Sequence, residues 1–334
     1  MNKNYIIRKK RYVDYCKICI LMVISLFFFA ACHSGFDQNT GESKSQLSMP
    51  KCRLFKHDLG ETCVPLNPQR IVVAEQITLE PLIALGLKPI GIPEHTFVAS
   101  KTSFLKRQMA GINYIGKEGQ LNLEKILKLH PDLIISLYDI NSETYRLFSQ
   151  IAPTVKFKYV HTQWQESFRR IAEVLNKTEQ AEKLLNQYEQ RLTKLRDALN
   201  NHLNKLEVSV GRFHGGVQLP EFRSQFSFPV SILQEAGIAM PDAQRQLAKN
   251  PDENLVILNL ERIDLLDADV LFVAVDPGAR ELFQKYQKTR LWQTLNVVQN
   301  QRVYSVDSSY WIFGSILSAN AILDDLFKYL LKAA

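Results

Sequence analysis

Two stretches of this 334-residue chain concentrate side chains suited to holding an anionic, partly organic ligand. Arg212, Phe213 and His214 follow the apolar run Val208-Ser209-Val210, and Arg223, Phe226 and Phe228 come soon after, in a segment with too little helical periodicity for ordinary core. A guanidinium is a planar fork of donors that matches carboxylates and related anions, and aromatic faces cover organic arms. The second group, Asp307, Tyr310, Trp311 and Phe313, follows the run ending at Val306. Equivalent positions in the first half hold His95 after Ile92, Lys117 and Glu118, and Tyr138 after Ile135. The expected ligand contacts are therefore Arg212, Arg223, Tyr310, Trp311, His95 and Tyr138. Each alone has an ordinary alternative, a solvated arginine or a core aromatic, and only their shared place at the ends of apolar runs joins them. Trp164 and Trp292 lie in helical patterns and read as packing residues.

The residues of covalent catalysis are not assembled in the sequence. There is no G-x-S-x-G, P-loop or dinucleotide glycine pattern, and the seven histidines are scattered without an H-x-x-x-H or H-E-x-x-H pair. No catalytic residue, directly bound metal or cofactor is expected.

The chain also carries an internal repeat. Residues 122–135, NLEKILKLHPDLII, align without a gap on residues 259–272, NLERIDLLDADVLF, with six of fourteen positions identical. The pairs are Asn122 with Asn259, Leu123 with Leu260, Glu124 with Glu261, Ile126 with Ile263, Leu129 with Leu266 and Asp132 with Asp269. Shared hydrophobic patterning does not explain polar identities, so the same helix–turn–strand unit is expected in two similar lobes. Each copy puts a glutamate in the first helical turn behind a capping asparagine. Complementing the helix dipole accounts for one such glutamate; two, one per lobe, suit two cations on a two-fold symmetric partner.

Short apolar runs alternating with helical patterns from Arg70 onward read as βα units around a mainly parallel sheet. Strands are expected at Ile71–Ala74, Lys88–Ile92, Leu133–Ile135 and Thr154–Phe157, then at Val208–Val210, Val256–Leu258, Asp269–Ala274 and Val303–Val306, with a last helix from Ile316 to Leu331. Between the two sets, Ala181, Leu184, Leu185, Tyr188, Leu192, Leu195, Leu199 and Leu203 recur at helical spacing without a Gly or Pro. At about 1.5 Å per residue this helix extends about 39 Å, enough to run from one lobe to another. The fold class is α/β: two Rossmann-like lobes with mainly parallel sheets joined by a long rigid helix. The expected boundaries are 50–177 for the first lobe, 178–203 for the helix and 204–334 for the second lobe.

The first 31 residues read as a signal peptide, because a basic start precedes the apolar stretch Ile18–Ala31, too short to span a bilayer comfortably. Phe29-Ala30-Ala31-Cys32 resembles a lipoprotein cleavage box, which makes Cys32 the expected lipidated residue and residues 32–49 its flexible tether; Phe29 stands in place of the usual Leu, and ordinary cleavage without lipid is the alternative. Removing the segment takes a net +5 from a formal charge of +7 and leaves about +2, which argues against a nucleic-acid partner. The composition of the full chain, 46% apolar and 22% charged, is that of a globular protein. Cys52 and Cys63 then stay as two thiols in an oxidising compartment, and one disulfide is expected between them. A zinc site built from both with His57 lacks a nearby fourth ligand.

Over nearly the whole mature chain the sequence resembles the siderophore-type, or class III, periplasmic substrate-binding proteins of ABC importers. The resemblance is carried by PQRIVVAEQITLEPLIALGLKPIGI at Pro68–Ile92, GQLNLEKILKLHPDLII at Gly119–Ile135, QIAPTV at Gln150–Val155, LERIDLLDADVLFV at Leu260–Val273 and LWQTLNVVQNQRVYSVD at Leu291–Asp307. The segment from Cys52 to Arg70 is similar to the iron(III)-dicitrate-like branch. The resemblance implies capture of a citrate- or hydroxamate-type ferric siderophore between two lobes, with iron held by the chelator. It further implies delivery to a homodimeric or pseudo-symmetric ABC permease whose arginines dock Glu124 and Glu261. The expected protein is a monomer, periplasmic or otherwise extracytoplasmic, held to the membrane by its N-terminal lipid. Haem, with His95 or Tyr310 as axial ligand, and cobalamin are the alternatives within the class, and a lipid-anchored enzyme on the same fold is the alternative outside it.

Overall fold

A computed structural model of the chain describes residues 52–94, 104–137, 140–199, 206–217 and 219–331. The expected signal peptide, Cys32 and the tether lie outside them. Residues from Pro50 on form one compact unit, opened by a hairpin of β1 (Cys52–His57) and β2 (Gly60–Pro65). Gly60 turns the hairpin at φ +131°, where a side chain would be strained. A disulfide joins Cys52 to Cys63 across it, with Cα atoms 5.5 Å apart.

The first sheet is built from β3 (Ile71–Val73), β4 (Gly91–Glu94), β5 (Asn113–Lys117), β6 (Gln120–Leu121), β7 (Leu133–Ser136) and β8 (Thr154–Lys156). Their order is β6-β5-β4-β3-β7-β8, parallel throughout except at β5/β6. The central runs Ile71–Val73 and Leu133–Ser136 are wholly buried, as strands covered on both faces should be. The second sheet holds β9 (Val208–Phe213), β10 (Glu221–Arg223), β11 (Leu255–Ile257), β12 (Val270–Val275) and β13 (Val303–Val306) in the order β11-β10-β9-β12-β13. Only β9, β12 and β13 are parallel; β10 and β11 extend the sheet antiparallel.

The structure departs from the sequence expectations in two places that matter. Strand β9 runs three residues beyond Val210, so Arg212 and Phe213 lie within the strand rather than after it, and Arg223 lies in a further strand, β10. The alternation is the reason: Phe213 and Phe222 enter one core while Val208 and Val210 enter the other, on the face that also carries Arg212. The second copy of the repeat is a 3-10 helix, Leu260–Leu266, kinked at Arg262, where the first copy is the α-helix Leu123–Lys128.

The repeat otherwise behaves alike in both lobes. Asn122 accepts from the Lys125 N–H at 3.0 Å, and Asn259 from the Arg262 N–H at 2.9 Å. Ile126 and Ile263 are buried under their helices. Asp132 accepts from the N–H groups of Gln69 and Arg70 just before β3, and Asp269 from the N–H of Glu207 just before β9.

One core cluster draws on both sheets, including Ile71 and Val73 of the first and Val208, Val210 and Phe272 of the second. The helix Thr178–Leu199 packs along the helices Trp164–Val174 and Ile316–Leu330. Tyr188 donates from this helix to Glu235 Oε2 at 2.6 Å, and Arg191 donates to Asn320 Oδ1 at 2.6 Å. A second tie is the buried carboxylate of Glu80, from the helix Leu79–Ala84 beside the first sheet. It accepts from the N–H of Ser315 at 2.8 Å and from the N–H and hydroxyl of Ser318 at 2.7 and 2.6 Å, capping the last helix. Among the described residues no helix is long and apolar enough to cross a membrane.

Candidate functional site

Parallel strands deliver their carboxyl ends to one edge of a sheet, and ligands of such sheets bind there. In the second sheet that edge carries Arg212 and His214 at the end of β9, Asp276 after β12 and Asp307 after β13. Glu221 pairs with Arg212 in register across β9/β10, and Arg223, two residues on, shares its face.

These side chains form a buried ionic network. Arg212 is forked onto Asp276, Nη2 to Oδ2 at 2.7 Å and Nε to Oδ1 at 3.2 Å, while its Nη1 lies 3.5 Å from Glu221 Oε1. The same Glu221 oxygen accepts from Arg223 Nη1 at 2.9 Å. Arg212 is 3% exposed and Arg223 2%, so each needs its carboxylate: an isolated buried charge would cost several kcal/mol. Two cations and two anions balance. Burial pulls the Arg223 pKa down, and Glu221 opposes the shift.

The chain of contacts continues into the first lobe. Arg223 Nη2 lies 3.4 Å from Asn254 Oδ1, and Asn254 Nδ2 lies 2.9 Å from His161 Nε2. Burial, with the Arg223 charge second, pushes the His161 pKa down to about 4, so the ring is neutral near pH 7. Tyr159 meets the His161 ring edge-on at 5.1 Å and donates to the Gly314 carbonyl at 2.8 Å.

Of the aromatic expectations, Tyr310 and Trp311 part ways. Trp311 is fully buried, stacked on Phe272 at 4.6 Å, and its indole N–H donates to Asp325 at 2.8 Å. It is a core residue with no free face for a ligand, and the expectation of a ligand contact there is corrected. Tyr310 is half-buried beside Phe104, at 5.2 Å between ring centroids, and donates to Asp325 at 2.9 Å. Burial and the Asp325 charge push its pKa up.

The first-lobe edge is less complete. His95 and Tyr138 lie outside the described residues. Lys117 is exposed at the end of β5, and Glu118 beside it has a carboxyl raised by burial, partly offset by a hydrogen bond from the Gln76 N–H. Sequence reasoning missed Glu221, Asp276, Asn254 and His161. For Glu221 a signal was present, since Glu221-Phe222-Arg223 alternates as a strand with its two charges on one face.

A groove of about 790 Å³ opens at the opposite, amino-terminal ends of β9, β12 and β13, between Glu207, Asp267, Asp269 and Arg302. Its aspartates have structural work: Asp267 caps the helix Asn296–Gln299 through the N–H groups of Asn296 and Val297, and Asp269 holds the entrance to β9.

Glu124 and Glu261, by contrast, are exposed on the two copies of the repeat. Glu124 meets Lys128 at 2.7 Å in a solvated pair, which contributes little.

Residues 71–310 match the model of the periplasmic binding protein family. The chain belongs to that family. It is 31% identical to a probable siderophore-binding lipoprotein of Bacillus subtilis (strain 168), over 93% of this chain and 97% of the relative. The achromobactin-binding periplasmic protein of Dickeya dadantii (strain 3937) is 28% identical over 78% of this chain and 86% of its own. Among solved structures, Staphylococcus aureus SirA complexed with staphyloferrin B superposes with a TM-score of 0.72 at 25% identity, covering 83% of this chain and 98% of that one. The likeness is to the class III, siderophore type of the family, and this periplasmic binding protein, like its relatives, is a substrate-binding protein rather than an enzyme.

Proposed function

We propose that this periplasmic binding protein captures a citrate- or hydroxamate-type ferric siderophore at the carboxyl ends of its strands and hands it to an ABC permease. The observation that carries the proposal is the pair Arg212 and Arg223, buried on one face of the sheet with Arg212 at that edge and Arg223 two residues inward, and held in balance by Glu221 and Asp276. Carboxylate or hydroxamate oxygens of an anionic chelate can exchange with Glu221 on the two guanidiniums, and such bonds are strong because both partners are charged and dry. Tyr310 adds an aromatic edge from the second lobe; His95 and Tyr138 belong to the same proposal on the first. Relatives named for achromobactin, iron(III)-citrate and iron(III)-hydroxamate support the ligand class, and the dicitrate-like assignment is one choice within it. Haem ligation by Tyr310 is disfavoured, because a phenol donating to Asp325 with a raised pKa is the opposite of a phenolate ligand.

Isothermal calorimetry of the fragment from Met49 with ferric citrate, a ferric hydroxamate, a ferric catecholate, hemin and cobalamin tests the proposal. Saturable binding of a ferric citrate- or hydroxamate-type chelate supports it; binding of hemin or cobalamin alone, or of nothing, refutes it. Calorimetry is preferred to fluorescence because Trp164, Trp292 and Trp311 are all buried.

Delivery is assigned to Glu124 and Glu261, docking on permease arginines, with Cys32 carrying the lipid that keeps the protein at the membrane. Glu124→Ala and Glu261→Ala are expected to leave chelate affinity unchanged while cutting transport in cells; loss of chelate affinity with normal permease binding would remove them from the docking surface.

A further inference from the structure

The contact chain Arg223–Asn254–His161 has a definite polarity. Arginine can only donate, so the Asn254 oxygen faces Arg223 and its NH₂ faces His161. The amide then donates to Nε2, which must accept, and the single proton of the neutral ring sits on Nδ1. That Nδ1 is buried and, among the described residues, has no hydrogen-bond partner. The same holds for Nε of Arg223, a side chain 2% exposed. The chain therefore ends in two buried donors that lack acceptors, one from each lobe. An unpaired buried donor costs about 1–3 kcal/mol, so such groups call for an occupant. Nothing in the ionic network can supply it: the oxygens of Glu221 and Asp276 that lie at hydrogen-bond distance serve other nitrogens of Arg212 and Arg223.

Resting on the capture reading above, we infer that His161 is a ligand-binding residue: its Nδ1–H and the Nε–H of Arg223 each hold an acceptor oxygen on the arms of the bound chelate. Asn254 is the positioning residue that fixes the ring tautomer. The ligand class follows from the donors. Both groups donate and the surrounding charges balance, so the matching partner is a carboxylate or carbonyl oxygen, not an ammonium or hydroxyl donor. A chelate with peripheral carboxylates or amide carbonyls fits; one whose arms end in cations does not. The contact also spans the lobes, because His161 belongs to the first and Arg223 to the second.

The test separates this role from simple bridging between lobes. The side-chain nitrogen of Asn can take the place of the donating Nδ1, and the side-chain oxygen of Gln the place of the accepting Nε2. His161→Asn keeps the donor to the ligand and loses the contact to Asn254; His161→Gln does the reverse. With iron(III) citrate and iron(III) desferrioxamine B as probes in calorimetry on the full mature protein, and melting curves checking the fold, His161→Gln and His161→Phe are expected to weaken the chelate that binds by about tenfold or more, and His161→Asn by about threefold or less. Binding restored by Gln but not by Asn, or unchanged in all three variants, would overturn the inference while leaving chelate capture standing. Failure of the wild-type protein to bind either probe would overturn the capture reading and this inference with it.

Discussion

Replacing Glu80 tests how firmly the two sheets are held together. Its carboxylate is wholly buried and accepts three hydrogen bonds from Ser315 and Ser318, at 2.6–2.8 Å, at the start of the last helix. Glu80→Ala leaves two amides and a hydroxyl without that acceptor in a dry site. Each orphaned group costs about 1–3 kcal/mol, and loss of a helix cap alone costs about 0.5–2 kcal/mol. Relief from desolvating a carboxylate offsets part of this. A net loss of about 3–5 kcal/mol is expected, a large share of the roughly 5–15 kcal/mol that holds a protein folded. Glu80→Gln keeps one acceptor oxygen and should lose about half as much. Urea unfolding followed by circular dichroism reads both, and an unchanged slope against urea would show that only stability moved. A loss below about 1 kcal/mol for Glu80→Ala would refute the role of the cap. Gly314 offers a check on the same spot, since a Cβ there would sit 2.3 Å from the Ser318 Cβ; Gly314→Ala should destabilise through the same junction.

The same junction predicts small motions: with Glu80, Tyr159 and the long helix tying the lobes, X-ray scattering curves with and without a bound chelate should superpose, and a clear drop in radius of gyration would contradict the ties. Arg212→Ala should cost about 3–5 kcal/mol, because Asp276 and Glu221 would be left buried without it. The pair Arg212→Met with Asp276→Leu should recover much of that stability yet still fail to bind an anionic chelate, and calorimetry showing normal binding would remove Arg212 from the site. The His161 pKa, lowered to about 4 from 6.5, sets a pH dependence. Between those values the unfolded chain takes a proton that the folded chain refuses, so His161 contributes a loss of stability as pH falls through this window, up to about 3 kcal/mol. Glu235 and Glu118, raised by burial, act in the opposite sense, their contribution falling as pH rises. Urea unfolding of wild type and His161→Gln at pH 4.5 and 7 isolates the histidine; equal pH dependence would refute its buried, neutral state.

Much of the fold was legible because its strands are short apolar runs bounded by turn signals. Val303–Val306 is a strand as expected, and the long helix follows the leucine stripe from Thr178 to Leu199. Strand β10 was harder to read: its three residues alternate charged, apolar, charged, but so short a run does not bound an element, and pairing with β9 and β11 is what makes Glu221–Arg223 a strand. The same gap hid the site. Arg212 and Arg223 stood out by type, but their partners Asp276, Asn254 and His161 are 64, 31 and 62 residues away from one or the other, and no periodicity links residues that meet only through a sheet. Trp311 was misplaced for a related reason, since an aromatic after a strand can turn to solvent or to core, and Phe272 and Asp325 decide which.

The repeat shows how structure sorts one set of identities into two kinds. Its asparagines are spent on capping, its isoleucines on the core, and its aspartates on the backbone just before the first parallel strand of each lobe. Each of these would persist in a protein that docked with nothing. The glutamates differ: both are exposed, and among the described residues Glu124 meets a solvated lysine, while the second copy has even lost the regular α-helix whose dipole a glutamate would complement. A kinked 3-10 turn at Arg262 offers less of that field than a capped α-helix, so helix complementation explains Glu261 less well than Glu124. The identity that local structure explains least is thus the one placed twice on the surface, which is the arrangement the docking proposal calls on.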